Sequence, residues 1–195
     1  MVDIMEYADT GSIEVIVGPM YAGKSEEVIR RINRAKIAGL KVLAFKPQID
    51  DRYSKDNITS HNGKKAECYA VRDTDEIRRC IENEEFDILA IDEVQFLGED
   101  IIHICRDVAD RGKRVICSGL DTDFRGEPFN VVPTLMAISE QVTKLTAICM
   151  KCKRPGTKTQ RLVNGQPAKY SDPIILVGAK ESYEARCRKC HQVLK

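Results

Sequence analysis

The sequence carries almost no excess charge of either sign. Thirty-one Lys and Arg stand against 30 Asp and Glu over 195 residues, a formal net charge of +1. A dedicated nucleic-acid binder draws most of its affinity from a basic surface meeting phosphates, and this balance argues against one. No apolar run approaches the ~20 residues needed to cross a bilayer. The opening residues, Met1-Val2-Asp3-Ile4-Met5-Glu6, lack the basic-then-apolar layout of a secretory signal. Internal repeats and low-complexity tracts are also missing. What remains is a globular domain, or one with a small appendage, whose 43 % hydrophobic content can bury a core. Membrane, secreted and disordered readings are set aside.

Cysteine is not scarce. Cys68, Cys80, Cys105 and Cys117 are scattered singly, while Cys149/Cys152 and Cys187/Cys190 form two C-x-x-C pairs. Eight cysteines without a secretory signal predict a reducing, cytoplasmic setting, with thiols or metal ligands rather than a disulfide framework.

Strands and helices alternate along the first two thirds. Ile13–Val17 is a β-branched run broken by Gly18-Pro19 and reads as a strand. Lys24 to Ala38 reads as a helix, with Val28, Ile32 and Ala35 on one stripe and Gly39 as its stop. Val42–Phe45 is a second strand. Asp73 and Glu76 form a capping box for a helix through about Asn83. Ile88–Ile91 is wholly apolar, as strands buried on both faces of a parallel sheet are. Ile101, Ile104, Cys105, Val108 and Ala109 make a helical stripe stopped by Gly112, and Val115–Cys117 is the next strand. This alternation predicts an α/β sheet with right-handed crossovers. Residues 121–140 read as irregular, Asn164-Gly165 as a hairpin turn, and a boundary falls near 140–148, giving units 1–144 and 145–195.

Gly18-Pro19-Met20-Tyr21-Ala22-Gly23-Lys24-Ser25 fits G-x-x-x-x-G-K-[ST] between a predicted strand and a predicted helix. Its glycines let the backbone wrap phosphate oxygens, with N–H groups pointing inward and the helix N-terminus behind them. Lys24 would meet the β- and γ-phosphates, and Ser25 would offer its hydroxyl to Mg²⁺. Asp92-Glu93 directly follows the buried strand, where open α/β sheets bind ligands. The first carboxylate would hold Mg²⁺ through water. The second would accept a proton from an attacking hydroxyl or water. Nucleoside-triphosphate use follows.

The two cysteine pairs offer four thiolates as two claws, suited to a closed structural Zn²⁺ site at ~2.3 Å per sulfur. Residues 153–186 separate them, a wider gap than the 15–20 residues of the common ribbon. A redox pair or simple buried thiols are the alternatives; two matched pairs flanked by Lys and Arg favour zinc. Closing the ends of this segment makes a loop suited to a lid or clamp. His191, next to Cys190, reads as surface rather than as a substitute ligand. Arg30, Arg31, Arg34 and Lys36 read as a solvated helix face, and Arg111, Lys113 and Arg114 as helix-end cations. His103 reads as structural. Asp50-Asp51-Arg52-Tyr53 follows the second strand into the same crevice.

With these pieces in order the sequence resembles the type II, zinc-containing thymidine kinases from about Ile13 to Cys190. The marks are residues 18–25, Lys46-Pro47 through Asp50-x-Arg52-Tyr53, Ser60-His61, Ile91-Asp92-Glu93-x-Gln95-Phe96 and Gly119-Leu120-Asp121-x-Asp123-Phe124. Pro128-Phe129 and Lys144-Leu145-Thr146-Ala147, leading into the first cysteine pair, complete them. Val94 stands where many members have Gly or Ala. The resemblance implies an α/β fold: a P-loop NTPase-like parallel sheet flanked by helices, with a small C-terminal zinc-bound β-ribbon or lasso subdomain. It implies ATP- and Mg²⁺-dependent phosphorylation of the thymidine 5′-hydroxyl, and of deoxyuridine, supplying thymidine triphosphate for DNA synthesis by salvage.

By the same resemblance Glu93 is the general base and Arg52 stabilises the transferring phosphoryl group. Residues 18–25, Asp92 and Gln95 bind ATP, while Ser25, Asp50 and Asp92 manage Mg²⁺. Met20, Phe96, Leu120, Phe124, Phe129, Thr159 and Tyr183 line the nucleoside pocket, and Cys149, Cys152, Cys187 and Cys190 hold zinc. A homotetramer inhibited by thymidine triphosphate, without nucleic-acid or membrane partners, is the accompanying expectation. A nucleic-acid-linked ATPase and a non-catalytic nucleotide-binding module are the rival readings. A nucleoside monophosphate kinase is disfavoured, because no second arginine-rich acceptor-phosphate site is evident.

Overall fold

The computed structural model describes residues 10–48, 57–59, 63, 65–175 and 181–195. Six strands form one parallel sheet: β1 (Ser12–Val17), β2 (Val42–Pro47), then β5 (Tyr69–Val71) beyond a small hairpin of β3 (Asn57–Thr59) and β4 (Lys65–Glu67), β6 (Ile88–Ile91), β7 (Arg114–Gly119) and β8 (Gln141–Lys144). Their order is β5-β2-β6-β7-β1-β8, every neighbouring pair parallel. The helices are α1 (Lys24–Ile37), α2 (Thr74–Asn83), α3 (Asp100–Asp110) and α4 (Val132–Ile138).

Apolar strand residues alternate between two cores. Val15, Val17, Phe45, Leu89, Ile91 and Cys117 pack with residues of α2, α3 and α4. Ile16, Ala44, Ile88, Ala90 and Ile116 pack with α1 and the β3–β4 hairpin. Burying each large side chain contributes about 1.5–3 kcal/mol, which explains why the strand sequences are apolar without alternation. The capping box holds in part: Asp73 accepts from the Glu76 N–H at 3.0 Å. The Glu76 carboxylate, however, reaches the Arg72 N–H.

Three readings need correction. Arg31 is no part of a solvated face; it is 8 % exposed and donates to Glu14, a buried acid in the middle of β1. Arg114 lies inside β7 and donates to the same carboxylate. Arg31 also reaches Thr143 Oγ1 on β8 at 2.9 Å, so one ionic cluster ties α1 and three adjacent strands together. Residues 121–140 are not wholly irregular, because α4 opens with Pro133 in its first turn and covers the sheet. β8, within the 140–148 stretch where the boundary was placed, then extends the sheet as its edge strand.

The C-terminal unit is built from short antiparallel pairs. β9 (Ala147–Ile148) pairs with β10 (Pro155–Gly156). β11 (Lys158–Val163) lies between β12 (Gln166–Pro167) and β13 (Glu181–Arg186). Asn164 (φ 51°) and Gly165 (φ 77°) form the two-residue turn between β11 and β12, both in the left-handed region such a hairpin needs. Thr159, Gln160 and Arg161, in the middle of β11, are all buried. Gln160 exchanges two hydrogen bonds with the Gln192 backbone, at 2.7 and 2.8 Å. Hydrogen bonding rather than an apolar core organises this unit, which is why its sequence shows so little apolar periodicity.

Candidate active site and metal centre

β1 ends at Val17, and the turn into α1 requires its glycines. Gly18 has φ 148°, and a side chain there would bring Cβ within 2.5 Å of the Leu145 carbonyl oxygen. Gly23, at φ 85°, caps α1 in the left-handed conformation. Lys24 folds back to donate to the Pro19 carbonyl at 2.8 Å. Burial lowers the pKa of its ammonium group, while Asp92, Glu93 and Asp121 pull the other way. Three carboxylates from the ends of two neighbouring strands therefore face the phosphate-loop lysine.

Asp92 is buried and its Oδ1 accepts both the Ser118 hydroxyl and the Glu93 N–H. Glu93 adopts a left-handed backbone (φ 54°, ψ 38°), a conformation that costs a non-glycine residue about 1–3 kcal/mol. The residue is exposed at the crevice mouth, yet its carboxyl is crowded by protein. Desolvation first and the Asp92 charge second raise its pKa to about 7, against the opposing pull of Lys24 and Lys46. A carboxyl so tuned can exchange a proton near neutrality.

Beside it, Gln95 is buried and its Oε1 accepts the Leu120 N–H at 3.1 Å, joining the loops after β6 and β7. Val94 is fully buried against the same junction. Phe96 and Phe129 meet edge to face with centroids 5.9 Å apart, and Phe124 is also buried. From the C-terminal unit, Thr159 Oγ1 accepts the Met20 N–H at 3.0 Å, joining β11 directly to the phosphate loop. Tyr183 lies opposite Arg161 in the β11–β13 register. The expected residues of the phosphate loop, of the acidic pair and of the aromatic pocket thus gather at the C-terminal ends of the strands. Asp50 and Arg52, with Asp51, Tyr53, Ser60 and His61, lie outside the described residues.

Two contributors went unassigned in the sequence. Asp121 is 6 % exposed, pairs with Lys144 at 2.8 Å, and keeps a buried Oδ1 with no hydrogen-bond partner among the described residues. Ser118 steadies Asp92. Asp121 stood inside a motif already singled out, but its role depends on β8 lying beside β1, which spacing alone does not reveal. The acidic pair and Asp121 suit a hard divalent cation bound with phosphates, since Mg²⁺ takes carboxylate oxygens and waters.

The four paired cysteines converge: their sulfurs lie within 4.8 Å of one another, and Cys152 and Cys187 approach to 3.6 Å. A tetrahedral zinc with ~2.3 Å bonds needs sulfurs about 3.8 Å apart, so the set fits. Burial opposes ionisation of Cys149, but N–H groups of Cys187, Cys152 and Lys151 outweigh it and draw the thiol down to about 6. Burial and proton sharing with the other three push Cys190 up to about 12. Four thiolates this close repel one another, and a divalent cation resolves that conflict. His191 lies outside this group; its Nε2 meets the Phe124 carbonyl at 2.8 Å.

The family model described as thymidine kinase matches residues 11–191, nearly the whole chain. Among solved structures, domain III of the Thermotoga maritima replication initiation protein is 16 % identical, with a TM-score of 0.43 over 69 % of this chain. A DNA replication initiation factor is 17 % identical, with a TM-score of 0.41 over 71 %. This chain spans 55 % and 41 % of the lengths of those two. The genome packaging NTPase of Sulfolobus turreted icosahedral virus 2, in complex with ATP-gammaS, is 16 % identical, with a TM-score of 0.44 over 73 % of this chain and 76 % of its own.

Proposed function

The chain belongs to the thymidine kinase family, enzymes that phosphorylate thymidine, and from that membership we propose that it transfers the γ-phosphoryl group of ATP to the thymidine 5′-hydroxyl. The observation that carries the reading is the meeting of three parts. A phosphate loop, a carboxyl with a pKa near 7 and a nucleoside-side strap come together through Lys24, Glu93 and the Met20–Thr159 hydrogen bond.

The backbone N–H groups of the 18–25 loop, apart from Pro19, which has none, and Met20, which donates to Thr159, join the Lys24 ammonium to bind and orient the triphosphate. Ser25, Asp92 and Asp50 would hold Mg²⁺, which neutralises phosphate charge when bound. Glu93 accepts the 5′-hydroxyl proton as that oxygen bonds to the γ-phosphorus and the bond to the β-phosphate oxygen breaks. Arg52 offsets charge on the transferring group, and Gln95 holds the Leu120 loop against the site. Met20, Phe96, Leu120, Phe124, Phe129, Thr159 and Tyr183 enclose the nucleoside. Thymine presents acceptor, donor and acceptor along one edge, a pattern that strap backbone groups match without charge. Deoxyuridine lacks only the methyl group, so it is accepted less efficiently by a margin of roughly ten- to 200-fold at most. Excluding water from this cleft protects ATP from hydrolysis.

Zinc on Cys149, Cys152, Cys187 and Cys190 would anchor the strap at both ends, as in type II members. Salvage supply of thymidine triphosphate, feedback by that nucleotide, a homotetrameric assembly and a cytoplasmic location complete the proposal. Among the described residues no helix is long and apolar enough to cross a membrane.

The test is product formation from ATP and Mg²⁺ with thymidine, deoxyuridine, deoxycytidine and deoxyadenosine, beside Glu93→Gln. Thymidine monophosphate from the wild type, reduced at least about 100-fold in the variant, is expected for loss of a general base. ATP hydrolysis without any phosphorylated nucleoside would instead favour the nucleic-acid-linked ATPase.

A further inference from the structure

Between the Phe124 loop and the connection from β12 to β13 lies a stack of cations and rings whose arginines none of the roles above uses. The Arg161 guanidinium lies 5.1 Å from the Phe124 ring centroid. The Arg125 guanidinium lies 5.4 Å from the same ring and 4.8 Å from that of Tyr170. Both cations also reach consecutive carbonyls of the connection between β12 and β13. Arg125 Nη2 donates to Asp172 O at 2.9 Å, and Arg161 Nη1 donates to Pro173 O. Asp172 closes a turn of its own, giving its N–H to Lys169 O at 3.0 Å and accepting the Lys169 N–H on Oδ2 at 2.8 Å. The Asp172 carbonyl therefore belongs to a hydrogen-bonded turn.

Arg161 is 1 % exposed. Burying a guanidinium costs free energy that an apolar side chain of similar volume would not. What arginine adds is a flat cation that stacks on a ring while donating in its own plane, which no apolar residue and no lysine reproduces. Phe124 is thus held at its ring by two cations and at its carbonyl by His191.

We infer that Arg125 and Arg161 are positioning residues that latch the Asp172–Pro173 segment onto Phe124 and thereby set the enzyme's hold on the nucleoside. The contacts that both arginines make to Phe124 and to the Asp172 and Pro173 carbonyls lie on the nucleoside side, which is where the latch acts. The inference rests on the thymidine pocket proposed above. Loosening the latch weakens thymidine binding and admits water to the γ-phosphate.

The experiment uses the full chain with thymidine and ATP, comparing wild type, Arg125→Leu, Arg125→Lys and Arg161→Lys. KM for each substrate, kcat and uncoupled ATP hydrolysis are measured, and melting temperatures establish that each variant is folded. Loss of one charge-assisted hydrogen bond and its stacking predicts a roughly tenfold rise in thymidine KM for Arg125→Leu. ATP KM and kcat at saturating thymidine should stay within about twofold, and uncoupled hydrolysis should rise. Arg125→Lys should recover only part of the loss, because it keeps the charge without the fork. Arg125 is only partly buried, whereas Arg161 is fully so, and the Arg125 pair carries the test even where Arg161→Lys fails to fold. A thymidine KM within about twofold of wild type, or equal changes in both KM values, overturns the latch. A wild type that makes no thymidine monophosphate overturns the kinase reading as well, and is told apart because the failure then precedes any variant.

Discussion

Glu93 concentrates the chemistry of the site in one residue. Its folded-state pKa of about 7 stands above the ordinary 4.5, through crowding first and the Asp92 charge second. Between those two values the folded chain keeps a proton that the unfolded chain has released. Stability conferred by that proton is complete below about 4.5 and is lost as pH rises through about 7. Glu93→Gln removes the titration, so the variant should melt above the wild type at about pH 8, the gap closing toward pH 4.5. Melting curves at both values test this, and an equal gap at each would count against a raised carboxyl. Under the proposed mechanism catalysis runs the opposite way with pH, since Glu93 as general base would work only after losing its proton. The wild-type kcat/KM should climb through about pH 7, and a flat profile from about pH 5.5 to 8 would remove Glu93 from that role. The residue's identity was legible in the sequence, from an acidic pair closing an apolar strand. Its left-handed backbone and its crowding were not, because both depend on what the neighbouring loops place around it.

Elements show the same division. The strands β1, β2, β6 and β7 were legible as short apolar, β-branched runs, the helices α1 and α3 by their apolar stripes and α2 by its capping box. The strands β5 and β8 were not. Tyr69–Val71 is only three residues and Gln141–Lys144 is mostly polar, so neither makes an apolar run, and they join the sheet through pairing with β2 and β1. Arg31 was misread for a related reason: helical spacing gives a side chain's direction but not what stands opposite it. Glu14 stands opposite, with Arg114 on its other flank. Arg31→Met should therefore cost about 3 kcal/mol, at the lower edge of the range for breaking a buried pair because Arg114 still partners the carboxylate. Urea denaturation is the check, with the midpoint falling at unchanged m-value. A shift equivalent to less than about 0.5 kcal/mol, the ordinary scatter of surface changes, would mean that this cluster does not tie the strands.

At the scale of the molecule, the sheet and the C-terminal ribbons, proposed as two units, are held by different physics. The sheet unit holds itself together with apolar cores on both faces. The C-terminal unit has short ribbons, a polar central strand and a four-sulfur cluster where a core would be. With the proposed zinc bound, such a unit would depend on its metal, because small structural zinc sites supply folding free energy directly. Its links to the sheet unit include Thr159 to the phosphate loop, His191 and Lys158 to the Phe124 loop, and the contacts of Arg125 and Arg161 described above. None of these links contributes to the sheet unit's own cores. Removing zinc with a strong chelator should consequently separate the two functions. Thymidine phosphorylation should fall by more than tenfold, the retained helical signal should report an intact sheet unit, and an ATP analogue should still bind at the phosphate loop. Re-addition of zinc at about one equivalent should restore activity. If the chelated protein keeps full activity, the cysteine cluster does not anchor the strap. If it loses ATP-analogue binding together with the sheet's helical signal, the units are one cooperative body, and the Met20–Thr159 bond is part of a shared core rather than a bridge between two.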